Sequence, residues 1–257
     1  MKKIKCENIK VAYKESGNGL QAVILLHGWG VGLDHKLMEP INKHLSKYFT
    51  VYNLDWPGFG ESDLPDQAFS TTDYCRILAL FIAKLEIENP ILIGHSFGCR
   101  IALRYAADNP VFKMVLTGAA GLKGKRDLDY YLKVYSYKAG KQLRKLPGFS
   151  ELGKNVKYGS SDYQAVSGVM RETFVKVVNE DVKDLLPRIN CEVLLVYGDL
   201  DEDTPIWMGE YLEKHLPNAG LAVFKGDDHY AYLHQLPRFL QVIDIFLKEE
   251  EKNATID

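Results

Sequence analysis

The fold of this chain is indicated by one stretch of eight residues, Ile91-Leu92-Ile93-Gly94-His95-Ser96-Phe97-Gly98. Its first three residues are apolar, which is typical of a short strand buried on both faces, and a helical pattern of apolar residues begins at Phe97. Ser96 therefore lies at a sharp turn from strand to helix, inside a Gly-x-Ser-x-Gly pattern. Flanking glycines keep Cβ atoms out of such a turn, and the serine Oγ is exposed near a helix N-terminus. Taken alone, the pattern is also compatible with a phosphate-binding loop or a plain tight turn.

Short apolar runs recur along the chain and alternate with helical patterns. Five more runs resemble residues 91–93, namely Ala22–Leu26, Thr50–Leu54, Met114–Leu116, Val193–Val196 and Leu221–Phe224. Apolar residues at helical spacing predict helices over Ser70–Glu86, Phe97–Ala107, Pro205–Leu216 and Pro237–Glu251. This alternation predicts an α/β protein whose parallel sheet carries helices on both faces. The more polar segments Lys3–Cys6 and Ile9–Lys14 predict an antiparallel pair at one edge.

One region, residues 121–186, interrupts this alternation. Because it contains no convincing strand, we expect a mostly helical cap over one end of the sheet, with residues 1–120 and 187–257 forming the core of a single domain. Residues 121–160 hold ten lysines and arginines against three acidic residues, a local charge of +7. We hypothesise that this charge attracts an anionic or carrier-bound substrate, whereas the alternative is a solvated surface. Five tyrosines there would supply an amphipathic wall for the substrate: Tyr130, Tyr131, Tyr135, Tyr137 and Tyr158.

The composition of the 257 residues excludes several classes of protein. Hydrophobic residues make up 46% and charged residues 26%, which is typical of a globular chain and not of a disordered one. A formal net charge of −2 provides no global basic field for nucleic acid. No apolar segment follows the lysines at the start, and no apolar run is long enough to span a membrane, so we expect a cytoplasmic location. The cysteines are too scattered for a disulfide framework or a zinc site and are expected to be reduced: Cys6, Cys75, Cys99 and Cys191.

A serine hydroxyl is a poor nucleophile unless a neighbouring base removes its proton, and the chain offers seven histidines. His229 follows the last predicted strand and the loop 225–228, so it can return an imidazole to the sheet edge that holds Ser96. His234, five residues later, is the competing candidate. His95 lies inside the turn and is expected to point away from the Oγ. Three others are expected to be surface or packing residues: His35, His44 and His215.

The base needs a carboxylate that holds its tautomer and stabilises the imidazolium. Candidates come from the stretch Gly198-Asp199-Leu200-Asp201-Glu202-Asp203-Thr204-Pro205, which follows a predicted strand. Asp199 still follows the direction of that strand, and Asp203 is placed to cap the next helix. We therefore predict Asp201 as the partner of His229, with Asp199 and Asp203 as the alternatives.

Negative charge that develops on a carbonyl oxygen in an acyl transfer needs hydrogen-bond donors. At this type of turn, one donor is the backbone N–H of the residue after the nucleophile, which is Phe97 here. The second is predicted in His27-Gly28-Trp29-Gly30, which follows the third strand and whose glycines allow a close approach of backbone to substrate. Within it we choose the backbone N–H of Trp29 as the second oxyanion donor.

These motifs, taken in order, resemble the α/β-hydrolase superfamily over essentially the full length of the chain. The matching residues are His27-Gly28-Trp29-Gly30, Asp55-Trp56-Pro57-Gly58-Phe59-Gly60-Glu61-Ser62, Gly94-His95-Ser96-Phe97-Gly98, Gly198-x-x-Asp201-x-x-x-Pro205 and Gly226-x-x-His229. The resemblance implies an eight-stranded, mostly parallel sheet, a cap after the sixth strand, and the order Ser96, Asp201, His229 for the catalytic residues. It also implies that Asp55 belongs to a structural turn. Cys99 departs from the small residue usual at its position and is interpreted as a packing residue.

Within the superfamily, the chain resembles small carboxylesterases that use no cofactor, and more finely the esterases that remove methyl esters from acyl carrier protein. We therefore predict a serine hydrolase that cleaves a carboxylic ester or thioester of a small molecule through an acyl-enzyme. We expect no cofactor, no metal, and a monomer or dimer without nucleic-acid or membrane partners. C–C bond hydrolysis and acyl transfer are compatible with the same residues, and a low-turnover ligand receptor is an alternative from a different class. A serine at position 96, in place of an aspartate, disfavours a dehalogenase.

Overall fold

One sheet of eight strands organises the molecule, of which the computed structural model describes residues 1–124 and 161–248. The strands are β1 (Lys2–Cys6), β2 (Ile9–Ser16), β3 (Ala22–Leu26), β4 (Thr50–Leu54), β5 (Ile91–His95), β6 (Lys113–Thr117), β7 (Glu192–Gly198) and β8 (Ala219–Phe224). Their order across the sheet is β1-β2-β4-β3-β5-β6-β7-β8. The β1–β2 and β2–β4 pairs are antiparallel, and the remaining pairs are parallel. The predicted mostly parallel sheet with an antiparallel edge is confirmed.

Helices connect the strands and cover both faces of the sheet. They are α1 (Glu39–Leu45), α2 (Thr71–Lys84), α3 (Phe97–Ala106), α4 (Ser161–Ala165), α5 (Gly168–Val178), α6 (Ile206–His215), α7 (Ala231–His234) and α8 (Leu236–Lys248), with 3₁₀ helices at His35–Met38 and Lys183–Arg188. The predicted capping box opens α2, because the Ser70 hydroxyl accepts from the Asp73 N–H and the Asp73 carboxylate accepts from the Ser70 N–H. None of the described helices is both long and apolar enough to cross a membrane.

The central strands are apolar at successive positions because both faces of the sheet are buried. In β3, Val23 and Leu25 pack into one hydrophobic cluster with side chains of α1 and α8. Ile24 and Leu26 face the other way, into a larger cluster with side chains of α2, α3 and α6. Side chains alternate along a strand, so a strand covered on both faces must be hydrophobic throughout.

The chain leaves the sheet between β6 and β7, as predicted for residues 121–186. In the described part of this insertion, α4, α5 and the second 3₁₀ helix are present and no strand is found. A hydrogen-bond cluster joins the end of α5 to the core: the Glu180 carboxylate accepts from the Thr71 N–H at 2.9 Å, from the Thr71 hydroxyl, and from Arg104 Nη2 at 3.2 Å. Residues 125–160, which hold the predicted tyrosine wall and nine of the ten basic residues, lie outside the described residues.

Parallel pairing brings the predicted site residues to one edge of the sheet. In register, Leu26 of β3 lies beside Gly94 of β5, and His95 of β5 lies beside Thr117 of β6. Gly198 at the end of β7 pairs in the same way with Phe224 of β8. The loops after these strands therefore start from a common edge, where ligands bind in open α/β sheets.

Candidate active site

Ser96 occupies a strained turn between β5 and α3. Its backbone has φ 50° and ψ −107°, a region that residues with a Cβ rarely adopt. The two glycines of the motif are required by space: a Cβ at Gly94 would lie 2.8 Å from the Cys99 backbone nitrogen, and one at Gly98 would lie 2.1 Å from the Leu26 carbonyl oxygen. The predicted strand–turn–helix context of Ser96 is therefore present, and the buried Cys99 packs against this turn as expected.

The loop after β3 passes beside this turn. A Cβ at Gly28 would lie 2.8 Å from His95 Cδ2 and 3.4 Å from Ser96 Cβ, so only glycine allows this approach. The fully buried His27 holds the loop, because its Nε2 accepts from the Trp56 N–H at 3.1 Å and its carbonyl oxygen accepts from Trp56 Nε1 at 3.1 Å. The backbone of residues 28–30 is thus placed near the Ser96 side chain.

Asp201 and His229 are brought together by the loops after β7 and β8. Asp201 Oδ2 lies 2.8 Å from His229 Nδ1, and the carboxylate is fully buried. When Nδ1 carries the proton and donates to a carboxylate, the Nε2 of a neutral imidazole is left as the acceptor. The structure therefore pairs the two residues that the sequence predicted to be partners.

A second set of donors fixes the Asp201 carboxylate. Its Oδ1 accepts from the backbone N–H groups of Asp203 at 2.9 Å and Thr204 at 2.8 Å, and its Oδ2 accepts from the Thr204 hydroxyl at 2.7 Å. Burial disfavours the charged carboxylate, but the hydrogen bonds from His229 and Thr204 outweigh it and hold the pKa of Asp201 below its usual value. Asp201 is therefore an anion at neutral pH with a set orientation.

Gly118, just after β6, lies against this pair. Its φ is +49°, and a Cβ built there would lie 2.9 Å from His229 Nδ1 and 3.3 Å from Asp201 Oδ2. A side chain at position 118 would push the imidazole and the carboxylate apart. Sequence reasoning missed this residue, because nothing in the sequence near Gly118 signals a contact with residues more than 80 positions away.

The alternative acids have other contacts. The Asp199 carboxylate accepts from the Gly226 N–H at 2.6 Å and so braces the loop that carries His229. Asp203 was expected to cap the following helix, and this is wrong: α6 begins at Ile206, Pro205 is at the N-cap position, and no side chain caps it. A proline two residues after Asp203 provides the fixed φ that starts the helix without a side-chain cap.

The other histidines bond to groups away from Ser96. His234 Nδ1 lies 2.7 Å from Asp227, so the competing base candidate has a different carboxylate partner. His35 is bonded through Nδ1 to the buried Asp55 at 2.9 Å, and Asp55 also accepts from the Glu61 N–H, which holds its own turn. In the described part of the chain, three groups of acidic residues and a histidine have possible metal-ligand atoms within 4.8 Å of one another. In each group, a carboxylate already bonds to the histidine. The groups are Asp34, His35 and Asp55; Asp201, Asp203 and His229; and Asp227, Asp228 and His234.

His95 is completely buried and packs against His229, with 4.7 Å between the ring centroids. Its Nδ1 lies 3.1 Å from the Thr117 hydroxyl, which itself donates to the Gly94 carbonyl oxygen. Burial, with a smaller contribution from the nearby His229, holds the pKa of His95 well below its usual value of 6.5. His95 is thus a neutral ring that supports the imidazole of His229 from the protein side.

The buried histidines predict a loss of stability in acid. Burial also lowers the pKa of His27, so below pH 6.5 the unfolded chain takes up protons that the native state does not. We expect the free energy of unfolding, measured by urea denaturation, to fall as the pH decreases from 6.5 by up to about 1.4 kcal/mol per pH unit for each histidine. His95→Gln should reduce this slope by about half. An unchanged slope in this variant would mean that His95 takes up a proton in the native state.

A cavity of about 550 Å³ opens at this edge of the sheet. Ser96 and His229 line it together, as do Trp29 and Phe97, the residues predicted to supply oxyanion donors. Residues of the insertion, among them Leu122, Phe174 and Val177, complete the apolar wall. Four polar residues also line it: Arg100, Asp162, Asp203 and Thr204. Arg100 and Asp162 lie outside the sequence motifs, so only the folded chain shows that they face the cavity.

Comparison with known proteins identifies the relatives of this chain. The human serine hydrolase BPHL is 27% identical over 258 residues, covering 96% of this chain and 86% of that protein. The 2-hydroxy-6-oxononadienedioate/2-hydroxy-6-oxononatrienedioate hydrolase of Burkholderia vietnamiensis is 26% identical over 265 residues, covering 93% and 91%. Among solved structures, the meta-cleavage product hydrolase CumD of Pseudomonas fluorescens IP01 has a similar fold, with a TM-score of 0.75, 24% identity and coverage of 97% and 98%.

These relatives match this chain over nearly its whole length, and the sheet order and strained serine turn described above agree with that match. A model of the alpha/beta hydrolase family matches residues 23–242, from β3 into α8. The chain belongs to the alpha/beta hydrolase family.

Proposed function

We propose that this protein is a serine hydrolase that cleaves a carboxylic ester or thioester of a small molecule. The observation that supports this most directly is the 2.8 Å contact between His229 Nδ1 and the buried Asp201 carboxylate, in a cavity that His229 shares with the strained Ser96. An imidazole oriented by a carboxylate in the same cavity as a half-buried serine is the arrangement that activates the hydroxyl for attack on an acyl carbon.

In the proposed reaction, Ser96 Oγ attacks the carbonyl carbon while His229 Nε2 takes the hydroxyl proton. The tetrahedral intermediate collapses, the C–O or C–S bond to the leaving group breaks, and the imidazolium gives its proton to the leaving alcohol or thiol. Water then attacks the acyl-enzyme with His229 again as the base, which releases the acid and restores the serine. Asp201 stays ionised throughout and stabilises the imidazolium.

The oxyanion would be held by the backbone N–H groups of Phe97 and Trp29. Phe97 is the first residue of α3, and the N–H groups of a first helical turn have no partner within the helix. Among the described residues, neither of these two N–H groups donates to a protein acceptor. The helix dipole of α3 adds a partial positive charge at the same place.

The ester activity is tested with p-nitrophenyl esters of graded acyl length and matching thioesters. We expect wild-type protein to hydrolyse at least one member, with a burst of p-nitrophenol before steady state for any ester whose acyl-enzyme is hydrolysed more slowly than it forms. Labelling by a fluorophosphonate should be stoichiometric and should stop turnover. Absence of both turnover and labelling in folded protein would contradict the proposal and would favour a ligand receptor.

Hydrolysis of a C–C bond is the second candidate, favoured by the Burkholderia relative, which is named as a hydrolase of 2-hydroxy-6-oxononadienedioate and 2-hydroxy-6-oxononatrienedioate. The same serine and histidine can serve such a reaction on a vinylogous ketone. Incubation with a 2-hydroxy-6-oxo-dienoate, monitored by loss of its visible absorbance, separates the two candidates. Faster turnover of that compound than of any ester would show that the enzyme is a C–C bond hydrolase and not an esterase.

A further inference from the structure

Arg100 is a buried cation in the wall of the cavity. It lies on α3, four residues and about one helical turn after Ser96, and only 7% of its surface is exposed. Buried arginines are nearly always paired with a carboxylate, because an unpaired charge is expensive to remove from water. The partners of Arg100 therefore show whether this guanidinium is committed to the fold or available to a ligand.

Within the described part of the chain, Arg100 has no carboxylate partner. Its Nη1 donates to the Glu180 carbonyl oxygen at 2.8 Å, and no ion pair within 4.0 Å involves it. The nearby carboxylates are used elsewhere: that of Glu180 accepts from Thr71 and Arg104, and that of Asp181 accepts from backbone N–H groups of the insertion. A guanidinium has five N–H donors, so a single bond in the described structure leaves Arg100 with donors for a ligand in the cavity that it lines.

The charge of Arg100 persists at neutral pH. Burial lowers its pKa to about 10, and the carboxylates of Glu180 and Asp181 offset part of this effect. The bond to the Glu180 carbonyl oxygen also holds the guanidinium in place before a ligand arrives. Such preorganisation lowers the entropic cost of binding.

The charges around the cavity are unevenly distributed. The acidic residues of the described wall, Asp162 and Asp203, lie near His229, and the Asp203 carboxylate comes within 4.8 Å of the imidazole. Burial, together with the proximity of Asp203, raises the pKa of Asp162, so this end of the cavity is unfavourable for a further negative charge. An anionic group of a ligand is therefore directed to Arg100, the only lysine or arginine among the described residues that line the cavity. Trp29 adds an indole N–H that is buried without a partner among the described residues.

We propose that Arg100 binds a carboxylate of the substrate, so that the enzyme prefers esters that carry a second, anionic carboxyl group. The planar guanidinium matches a carboxylate through two parallel hydrogen bonds, which a neutral group cannot replace. This inference rests on the proposed function for the reaction itself, but carboxylate binding is a separate property of the cavity. The proposed binding of a carboxylate by Arg100 also does not depend on the basic residues in 125–160.

The kinetic test compares pairs of esters of matched shape, in which one member carries a carboxylate and the other a neutral isopropyl group. Mono-p-nitrophenyl adipate is paired with p-nitrophenyl 6-methylheptanoate, in which an isopropyl group replaces the carboxylate, and 4-carboxyphenyl acetate is paired with 4-isopropylphenyl acetate. We expect wild-type kcat/KM to favour the anionic member of at least one pair, and Arg100→Met to lower that value by on the order of 10²-fold while changing the neutral member less than about 3-fold. Arg100→Lys should recover only part of the loss, since an ammonium makes no bidentate contact.

Arg104→Met is the matched control, because Arg104 binds the same Glu180 but does not line the cavity in the described structure. It should leave the preference for the anionic ester unchanged. Equal losses for both members of each pair in Arg100→Met, with a lower Tm, would show that Arg100 only anchors the insertion. No preference for either anionic ester in wild-type protein would also overturn the proposal.

A binding measurement separates failure of this inference from failure of the proposed function. Calorimetric titration of adipate into Ser96→Ala should give a saturable signal that is lost in the Ser96→Ala, Arg100→Met double variant and kept with Arg104→Met. If wild-type protein hydrolyses no ester but adipate binding depends on Arg100, the hydrolase proposal fails and the carboxylate site stands. If neutral esters are hydrolysed and neither adipate binding nor the preference for anionic esters depends on Arg100, the hydrolase proposal stands and the carboxylate site fails.

Discussion

Ser96→Ala is expected to lower turnover of any ester substrate by roughly 10⁴- to 10⁶-fold, the range typical for loss of a nucleophile that acts together with its base. The removed hydroxyl is the atom that would form the acyl-enzyme. The backbone of residue 96 already has φ 50°, and alanine meets the same strain as serine there, so the fold should be kept. Initial rates and covalent labelling by a fluorophosphonate, followed by intact mass, are the measurements.

The control for this variant is its thermal stability. Tm should stay within a few degrees of the wild-type value, since no hydrogen bond from the Ser96 hydroxyl supports the described structure. Stoichiometric labelling of Ser96→Ala, or an unchanged burst of p-nitrophenol, would mean that another residue is the nucleophile. His229→Ala should lose as much turnover as Ser96→Ala, because without a base the hydroxyl keeps its proton.

Asp201→Asn should lower kcat by roughly 10³- to 10⁴-fold. In asparagine, an NH₂ group takes the place of one carboxylate oxygen, so a hydrogen-bond donor stands where the carboxylate has only acceptors. The backbone N–H groups of Asp203 and Thr204 require an acceptor at the Oδ1 position, which places the new NH₂ at the Oδ2 position, facing His229. The imidazole must then accept at Nδ1 and carry its proton on Nε2, so it cannot take the serine proton. Steady-state kinetics with the best ester from the panel measure the effect.

Asp199→Asn and Asp203→Asn are the matched controls for this variant. The Asp199 side chain accepts only from the Gly226 backbone in the described structure, and an asparagine oxygen can replace that contact. Asp203 contacts Asp201 through its backbone N–H, which substitution does not remove. Both controls should keep kcat within about 10-fold of wild type. A larger loss in Asp203→Asn than in Asp201→Asn would make Asp203 the acid that orients the histidine.

The order of strands and helices could be predicted from the sequence because each central strand is buried on both faces. Such a strand must be apolar at every position, so runs such as Ala22–Leu26 stand out against the amphipathic helices between them. The four-residue helix α7 was not predicted, since an element this short shows no periodicity. The prediction of Asp203 as the N-cap of α6 was wrong because Pro205 is at that position, and proline has no side-chain acceptor for a helix N–H group.

By itself, the sequence determined the elements whose signals are local. The glycines around Ser96 are demanded by atoms within the same turn or on the neighbouring strand, and the position of His229 after the last strand follows from chain order. The sequence favoured Asp201 but left Asp199 and Asp203 open, because three acidic residues within five positions differ only in where the loop turns each side chain. The tertiary structure decided that the Asp201 carboxylate bonds to His229. It also decided that Gly118 and Arg100 belong to the site. Parallel strands bring loops that are distant in the sequence to one edge of the sheet, and the spacing of residues along the chain does not predict which of them meet there.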